Sequence, residues 1–214
     1  MTEPRTILVT GAGGLVGAWT VAALCAQPQR FRVRALVRSS AKLAKALAPL
    51  GVDTAQLQIV EGDITDAEAV ARATAGCAAV VHAAGLYSAD VTQEPLMTRT
   101  NVTGTATVID AARAAGADPI VHVSSYLAMF PPTGSTQRAD DPVTEPRSAY
   151  ARTKAEAERI ARRHQGEGAP VVIVYPGAIH GPWDPTFSAT PAYLAEAIRK
   201  DELLVNEGGR PYVD

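Results

Sequence analysis

The sequence predicts an α/β fold: a doubly wound parallel sheet with helices on both faces, followed by the start of a smaller region. Three observations predict this fold class. Short apolar runs alternate with helix-like segments from the start of the chain, which is typical of right-handed βαβ units. The apolar runs lack polar–apolar alternation, as expected for strands buried on both faces. A glycine-rich turn separates the first run from the first helix-like segment.

The composition is that of a globular protein. Of 214 residues, 47% are hydrophobic and 20% are charged, which suffices for one domain with a large core. The net charge of −2 and the lack of a Lys/Arg block argue against nucleic-acid binding. We expect no membrane span, no signal peptide and a cytoplasmic location, since no apolar run is long enough to cross a bilayer. Cys25 and Cys77 are expected to be reduced, structural thiols.

Each predicted element follows from a local pattern. Apolar, largely β-branched runs predict strands at 6–10, 32–37, 58–60, 79–82, 120–123 and 171–174. Helical patterns predict helices at 14–26, 98–115 and 148–164. They also predict one helix that follows the second strand and ends at 47, and one that begins after residue 66. Asp66 is a candidate N-cap because Glu68 and several alanines follow it. Ligands of such a sheet bind beyond the carboxyl ends of its strands, so the residues there are the functional candidates.

The turn after the first strand reads TGAGGLVG and has glycines at positions 11, 14 and 17. Gly11 would permit a tight turn, Gly14 the close approach of a pyrophosphate, and Gly17 the close packing of helix on strand. An ordinary strand–helix connection is the alternative, but the flanking strand and helix favour a dinucleotide bound in a Rossmann-type fold. The turn residues predicted to bind it are Gly11, Ala12, Gly13, Gly14, Leu15, Val16 and Gly17.

The residues after the second strand bear on which dinucleotide is bound. An acid at this point usually accepts from the ribose 2′-hydroxyl of NAD, whereas this chain has Arg38 and Ser39. A guanidinium can pair with a 2′-phosphate, and Ser39 can add a hydroxyl. The sequence therefore favours NADP over NAD, with a solvated surface charge as the other interpretation of Arg38.

Two further strand ends supply candidate cofactor contacts. Asp63, followed by Ile64, could accept from the adenine amino group or cap the next helix, and Asp66 is available for the capping role. After the fourth strand, Ala83, Ala84 and Gly85 are small enough to let backbone approach the middle of the cofactor. The preceding His82 is expected to be a packed, hydrogen-bonded histidine rather than a catalyst.

Ser125, at the end of the fifth strand, and Tyr150 and Lys154, on a predicted helix, form a candidate catalytic set. Positions i and i+4 share one helix face, so the phenol and the ammonium can lie close together. The ammonium and an oxidised nicotinamide would both lower the pKa of Tyr150 from its reference value of about 10. Ser125 could then hold the substrate oxygen while Tyr150 gives or takes its proton. A lone Tyr-x-x-x-Lys would be an ordinary amphipathic helix surface; the glycine turn and the serine favour catalysis.

In combination, the motifs TGAGGLVG, GDITD, HAAG, NVTGT, VSS, YARTK and YPGAIHGP resemble the extended short-chain dehydrogenase/reductase family over nearly the whole chain. The resemblance implies catalysis by Ser125, Tyr150 and Lys154, with Lys154 also binding the nicotinamide ribose. It implies a structural role for Asn101 in the central helix and in a proton relay. It also implies a homodimer through the helices at 98–115 and 148–164. Further cofactor contacts implied by the family are Asn101, Val123, Pro176, Gly177, Ile179 and His180.

Some residues depart from the family patterns. Sugar-nucleotide epimerases usually have Tyr-Gly shortly after the serine, and the dehydratases have Thr-Asp or Thr-Glu near it; this chain has Tyr126-Leu127-Ala128. The apolar residues after Tyr126, together with Arg38, are more similar to the pattern of the dihydroflavonol-reductase and 3β-hydroxysteroid-dehydrogenase branch. Tyr175 stands where arginine usually precedes Pro-Gly.

The family resemblance also divides the chain. Residues 1–176 are expected to form the NAD(P)-binding domain, and residues 177–214 an incomplete substrate-binding region. Residues 203–214 resemble the stretch that, in family members, leads into a segment continuing into another helix.

The leading hypothesis is an NADP(H)-dependent oxidoreductase that reduces a carbonyl of a fairly apolar small molecule, with Tyr150 as the general acid/base. The alternatives are a nucleotide-sugar epimerase with tightly held NAD, and a cofactor-binding sensor or scaffold without turnover. The sequence contains no feature that identifies the substrate itself.

Overall fold

All six predicted strands form, and they lie parallel in one sheet. They are β1 (Arg5–Thr10), β2 (Phe31–Val37), β3 (Gln58–Glu61), β4 (Ala79–His82), β5 (Ile120–Val123) and β6 (Val171–Val174). The computed structural model describes residues 3–185, 189–201 and 212–213. The strand order is β3-β2-β1-β4-β5-β6, so the chain runs outward from β1 in one direction and then outward from β4 in the other. This reversal creates a crevice at the carboxyl ends of β1 and β4, the usual place for a ligand.

Helices cover both faces of the sheet, as the sequence predicts. They are α1 (Leu15–Cys25), α2 (Ser40–Leu47), α3 (Ala67–Thr74), α4 (Glu94–Thr98), α5 (Gly104–Ala114), α6 (Ala149–Gly166) and α7 (Ala189–Lys200). Successive residues of β1 point to opposite faces: Leu8 packs in the core with α3, α5 and α6, and Val9 in the core with α1 and α2. Both side chains are fully buried. The doubly wound architecture is thereby confirmed.

The helix expected at 98–115 differs from the prediction in its start and its regularity. It begins four residues earlier, at Glu94, and Pro95 occupies the first turn, where a missing N–H costs nothing. A π-helical turn, Arg99–Thr103, then joins α4 to α5. Such turns are rare and are frequent at functional sites. The sequence pattern did not reveal this one because a π-helical turn has no distinctive residue signature in a single sequence.

Three helices begin with a side-chain cap, whereas α1 does not. Ser39, Asp66 and Ser148 cap α2, α3 and α6, and Asp66 accepts from the backbone of Glu68 and Ala69, as predicted. The N-cap of α1 is Gly14, which has no side chain to offer, and the first turn of α1 contains no acid. The N–H groups at the start of α1 are therefore available to an anion.

After β6 the chain forms a short strand, β7 (Ala178–Ile179), which pairs in parallel with β8 (Tyr212–Val213). Most of the segment 203–214, for which a family likeness is expected, lies outside the described residues. Within the described ranges, none of the helices combines the length and apolar character that crossing a bilayer requires.

Candidate active site

The glycine turn and the loop after β4 touch each other at the crevice. Gly11 has a φ of +70°, and a Cβ on it would lie 2.5 Å from Ala84 N and 2.6 Å from Ala83 C. Gly11 therefore has two reasons to be glycine, a left-handed backbone and a contact with no room for a side chain. Thr10 Oγ1 strengthens the same contact by accepting from Ala84 N at 3.3 Å.

The other predicted turn residues differ in how closely they are packed. A Cβ on Gly17 would lie 2.1 Å from Gly11 O, so Gly17 packs the start of α1 against the turn itself rather than against the strand. By contrast, a Cβ on Gly13 would have no heavy atom within 4 Å, and one on Gly14 would meet only Gly11 O, at 3.4 Å. Ala12 is fully buried in the core with α1. The turn is thus rigid at its base and open at Gly13 and Gly14, beside Leu15 and Val16 at the start of α1.

The end of β2 presents one uncommitted cation. Arg38 is exposed, and in the parts of the chain that the structure describes its guanidinium forms no hydrogen bond or ion pair. Ser39 Oγ accepts from Lys42 N at 3.3 Å as the cap of α2, which leaves its O–H free to donate. Glu61 at the end of β3 accepts from Ser40 N at 2.7 Å, so a carboxylate also lies close to this corner.

Asp63 and Ile64 follow β3. Asp63 Oδ1 accepts from both the backbone and the hydroxyl of Thr65, at 2.9 and 2.8 Å. Those bonds and the charges of Arg38 and Arg99 lower the pKa of Asp63 against the opposing effect of burial, the largest single influence. The Ile64 side chain lies against Gly104 of α5. Asp63 thus stabilises its own loop, and Asp66 performs the helix capping.

Asn101, in the π-helical turn, joins the loop after β4 to α6. Its side-chain oxygen accepts from Leu86 N at 2.7 Å, and its amide nitrogen donates to Leu86 O and to Thr153 Oγ1, both at 2.9 Å. Asn101 is 2% exposed. Gly85 lies directly beneath it, since a Cβ there would be 3.4 Å from the Asn101 side-chain oxygen. The two bonds to Leu86 fix the backbone beside Gly85, and the bond to Thr153 attaches that loop to α6.

Ser125 caps a short 3₁₀ turn, Tyr126–Met129, that packs against α6. Its Oγ accepts from Leu127 N at 3.2 Å, and its hydroxyl proton remains available to a substrate oxygen. The segment after β6 lies beside it, because Tyr126 N donates to Pro176 O at 3.3 Å. That segment also reaches α1, where Trp19 Nε1 donates to Pro182 O at 3.3 Å. Between these two bonds lie the predicted residues Gly177, Ile179 and His180.

Tyr150 lies in the first turn of α6 and Lys154 one turn later. Burial raises the pKa of Tyr150 to about 12, and the neighbouring Tyr87 contributes in the same direction. This is opposite to the direction predicted from a neighbouring ammonium. The physical reason is that the surrounding fold shields the Tyr150 phenol from water, while Lys154 Nζ donates to Val123 O at 2.9 Å. Lys154 is itself buried, which lowers its pKa to about 8.

Two stacked histidines lie beside Lys154. His82 and His122 have ring centroids 5.5 Å apart, and both are buried. His82 bonds Thr10 Oγ1 at 2.7 Å and Thr105 Oγ1 at 3.0 Å, so it is packed and hydrogen-bonded as expected. Burial, followed by the Lys154 charge, lowers the pKa of His82 to about 3 and that of His122 well below its usual value. Both rings are neutral at physiological pH.

The sequence analysis missed a polar network behind Lys154. Glu158, one turn further along α6, is fully buried. Its Oε1 accepts from Tyr175 at 2.5 Å and from Arg162 Nε at 2.7 Å. Arg162 also donates to Asp141 O and Ala139 O, at 2.7 and 3.0 Å, and so attaches the loop at 130–147 to α6. The unusual Tyr175 was the one sequence signal that could have pointed here.

A cavity of about 920 Å³ opens beside Tyr150. Its lining includes Tyr87, whose ring meets that of Tyr150 edge to face with centroids 5.0 Å apart. The rest of the lining mixes apolar residues with polar ones, and it includes no acid among the described residues; the polar members are Ser88, Ser135, Gln137, Arg147, Ser148 and Arg152. Arg152 pairs with Glu94 at 2.6 Å. The lining also includes Val91, Tyr126, Leu127, Phe130, Pro132 and Ala149.

The strand order, the crevice at β1 and β4 and the glycine turn define a Rossmann-type α/β protein. Residues 7–214 match the model of the NAD dependent epimerase/dehydratase family, and the chain belongs to that family. This confirms the family resemblance drawn from the motifs.

Curated relatives include reductases. The chain is 36% identical to a 4-hydroxy-2-methyl-3-oxo-4-farnesyl-3,4-dihydroquinoline-1-oxide ketoreductase of Stigmatella aurantiaca, over 94% of this chain and 58% of the relative. It is 33% identical to a putative dihydroflavonol 4-reductase of Synechocystis, over 94% of this chain and 57% of the relative. The chain therefore spans little more than half the length of these proteins.

Solved structures of the family share the fold. A dTDP-glucose 4,6-dehydratase from Streptomyces venezuelae, solved with NAD bound, is 29% identical and superimposes with a TM-score of 0.80 over 98% of this chain and 68% of that one. A UDP-glucuronic acid 4-epimerase from Bacillus cereus, at 19% identity, has the same TM-score of 0.80 over 97% of this chain and 68% of its own and shows the fold alone.

Proposed function

We propose that this chain carries the cofactor-binding and catalytic residues of an NADP(H)-dependent oxidoreductase that reduces a carbonyl group on a fairly apolar small molecule. The observation that carries the proposal is the position of Tyr150, a half-buried phenol in the wall of a cavity that aromatic rings line in part. Lys154 lies one turn behind it and Ser125 caps the turn that packs on the same helix. The ketoreductase and the putative dihydroflavonol reductase among the relatives support the same reaction class.

The crevice fits a dinucleotide. The uncapped N-terminus of α1 offers backbone N–H groups to a pyrophosphate, and the space at Gly13 lets it approach. Arg38 would hold a 2′-phosphate, with the Ser39 hydroxyl as a second donor. The loops at Ala83–Gly85 and 176–180 would enclose the middle and the nicotinamide end. When bound, NADPH supplies the hydride that reduces the carbonyl carbon.

In the reducing direction Tyr150 donates a proton to the carbonyl oxygen. A pKa of about 12 keeps its phenol protonated at neutral pH, which is the state that a proton donor requires. The O–H of Ser125 would donate to the same oxygen and polarise the carbonyl. Lys154, fixed by Val123 O at 2.9 Å, has further N–H groups for the ribose hydroxyls. Its charge would stabilise the phenolate that proton transfer leaves on Tyr150.

The cavity supports an apolar substrate. Its wall includes the aromatic side chains of Tyr87, Tyr126 and Phe130 and several aliphatic ones, together with serines, a glutamine and two arginines. The aromatic rings favour a substrate that itself carries a ring system. The two arginines in the wall, with no acid among its described residues, disfavour cationic substrates.

NAD is the alternative cofactor, and one observation favours it. The Glu61 carboxylate beside Ser40 would repel a 2′-phosphate at the corner where Arg38 attracts it. We propose NADP because Arg38 is uncommitted, whereas Glu61 is already held by the Ser40 backbone. A protein that carries tightly bound NAD after purification would instead support the epimerase function.

The test combines a substrate panel with one variant. The purified protein is assayed with NADPH against aromatic and terpenoid ketones and aldehydes, and any co-purifying dinucleotide is identified by mass spectrometry. We expect turnover of at least one apolar carbonyl, and we expect Tyr150→Phe to lower kcat about 100-fold or more with little change in the Kd for NADPH. Near-normal activity of Tyr150→Phe, or NADPH binding with no carbonyl reduced, would contradict the proposal.

A further inference from the structure

Lys154 is a buried cation, and few charges act on it. Its side chain is 5% exposed and its Nζ is held by a neutral group, the carbonyl of Val123. From β4 and β5, the groups facing it are His82 and His122, both neutral because burial depresses their pKa values. On its own helix, Tyr150 is neutral as well. Burial of an ammonium favours loss of its proton unless a negative charge is close.

That negative charge is Glu158. It lies four residues after Lys154, on the same face of α6, and it is fully buried. Of the described residues, Glu158 is the one carboxylate whose charge opposes the effect of burial on the pKa of Lys154. Its Oε2 has no hydrogen-bond partner in the part of the chain that the structure describes, so no donor there screens the charge on that oxygen.

Two donors bind the Glu158 carboxylate from the far side. Arg162 Nε at 2.7 Å and the Tyr175 hydroxyl at 2.5 Å both bind Oε1. Arg162 is the one guanidinium among the described residues that binds Glu158, and it also donates to the backbone at Ala139 and Asp141. A second guanidinium at position 175, where the family usually has arginine, would cancel more of the negative charge. Tyrosine instead binds the carboxylate without adding a positive charge.

We propose that Glu158, held by Tyr175 and Arg162, is a positioning residue that keeps Lys154 protonated and thereby lets it stabilise the Tyr150 phenolate. This proposal rests on the proposed function for its catalytic consequence. The electrostatic link between Glu158 and Lys154 does not depend on that function and can be measured separately.

The first experiment reads the titration of Lys154 from stability, without any assay of activity. The free energy of unfolding is measured between pH 6.5 and 10.5 for the wild type, Lys154→Met, Glu158→Gln and the double variant. Each protein with Lys154 is compared with the same protein carrying Lys154→Met. The difference between their free energies of unfolding at each pH isolates the contribution of the lysine. Because burial lowers the pKa of Lys154 to about 8, this difference should rise with pH above that value.

We expect Glu158→Gln to move the start of that rise to lower pH by about 1 unit, the lower end of the roughly 1–3 units by which a nearby opposite charge shifts a pKa. Glu158→Asp keeps the negative charge, so its curve should begin to rise close to the wild-type pH. The matched control is Glu156→Gln, on the same helix but exposed and paired with Arg159 at 2.7 Å, which should leave the curve unchanged. If the stability difference begins to rise at the same pH in the wild type and in Glu158→Gln, the proposal is overturned.

Glu158→Gln puts an amide in a buried site, so Tyr175→Arg provides a second variant. It should also move the start of the rise to lower pH, since it adds a positive charge while satisfying the carboxylate. An unchanged or higher starting pH in this variant would overturn the proposal.

The second experiment measures the alkaline limb of kcat/KM against pH with an accepted carbonyl. Glu158→Gln should shift this limb to lower pH and leave the rate at pH about 6.5 within a few-fold of wild type. A rate lowered equally at all pH values would mean a merely structural role and would overturn the proposal. If no carbonyl is reduced by the wild type, the proposed function fails, whereas the stability curves still decide the link between Glu158 and Lys154.

Discussion

Gly17 lies against the backbone of Gly11: a Cβ on Gly17 would be 2.1 Å from Gly11 O and 2.6 Å from Gly11 C. Gly11 in turn is in contact with Ala83 and Ala84 after β4. The start of α1, the turn and the neighbouring strand end therefore form one stack of backbone with no space for side chains. This stack gives the crevice a fixed shape on the side where a pyrophosphate would bind.

The first prediction follows from this stack. Gly17→Ala should destabilise the protein by about 3 kcal/mol, because a rigid backbone cannot move away from the added methyl group. That loss corresponds to a fall in Tm of roughly 6–12 °C in a domain of this size. Gly13→Ala is the control, since a Cβ there meets no atom within 4 Å. Equal Tm values for the two variants, measured by thermal unfolding, would contradict the packing described.

The second prediction concerns the choice of cofactor. Arg38→Ala should weaken NADPH binding by about 10- to 100-fold, since a hydrogen bond to a charged group contributes about 1.5–3 kcal/mol. NADH binding should change little, because NADH has no 2′-phosphate. The control for net charge is Arg32→Ala, which removes an exposed arginine within β2 rather than after it. The measurement is the Kd of each nucleotide by fluorescence titration, and an equal loss for NADH would refute a 2′-phosphate site at Arg38.

The third prediction concerns acid stability. His82 has a pKa of about 3 in the folded protein against 6.5 for an unburied histidine, so the unfolded chain binds more protons between these values. Its contribution to stability is complete above pH 6.5 and decreases as the pH falls towards 3. At pH 5 the loss should be about 2 kcal/mol relative to pH 7.5.

The variant His82→Gln isolates that contribution because glutamine does not titrate. The free energy of urea unfolding should fall less between pH 7.5 and pH 5 in the variant than in the wild type, by about the same 2 kcal/mol. The variant itself should be less stable at pH 7.5, since it alters the bonds to Thr10 and Thr105. Identical pH dependence in both proteins would show that His82 titrates normally.

The fourth prediction concerns Tyr87 as a wall of the substrate cavity. Tyr87→Ala should raise KM for an aromatic carbonyl by about 2- to 10-fold, because an aromatic pair contributes about 0.5–1.5 kcal/mol. Tyr87→Phe keeps the ring and should leave KM close to that of wild type. KM and kcat are measured separately for both variants. An equal rise in KM for Tyr87→Phe and Tyr87→Ala would indicate that the hydroxyl, rather than the ring, acts on the substrate.

Local pattern was sufficient for most of the fold. β4, β5 and β6 begin and end at the predicted residues, because each is a short apolar run bounded by small or turn-forming residues. The cap at Asp66 was predictable for the same reason, since capping depends on residues within one turn. The early start of the helix at Glu94 was missed because the π turn after it has no signature in a single sequence.

Part of the candidate site could also be predicted. The glycine spacing, the Arg38 position and the Ser125, Tyr150 and Lys154 set come from motifs that are short in sequence. The direction of the pKa shift of Tyr150 could not be predicted, since it depends on burial in the surrounding fold and on the neighbouring Tyr87. The partner of Lys154 was equally hidden, because Val123 O is 31 residues away.

The sequence by itself determined the alternation of strands and helices, the glycine turn and the family, because these depend on short-range order along the chain. Only the tertiary structure decided that Asn101 fixes the loop at Leu86, that Ser125 lies beside the segment at Pro176, and that Tyr175 and Arg162 hold Glu158 behind Lys154. The physical reason is that electrostatics and packing act across space. A buried charge is defined by what surrounds it, and those neighbours come from distant parts of the chain.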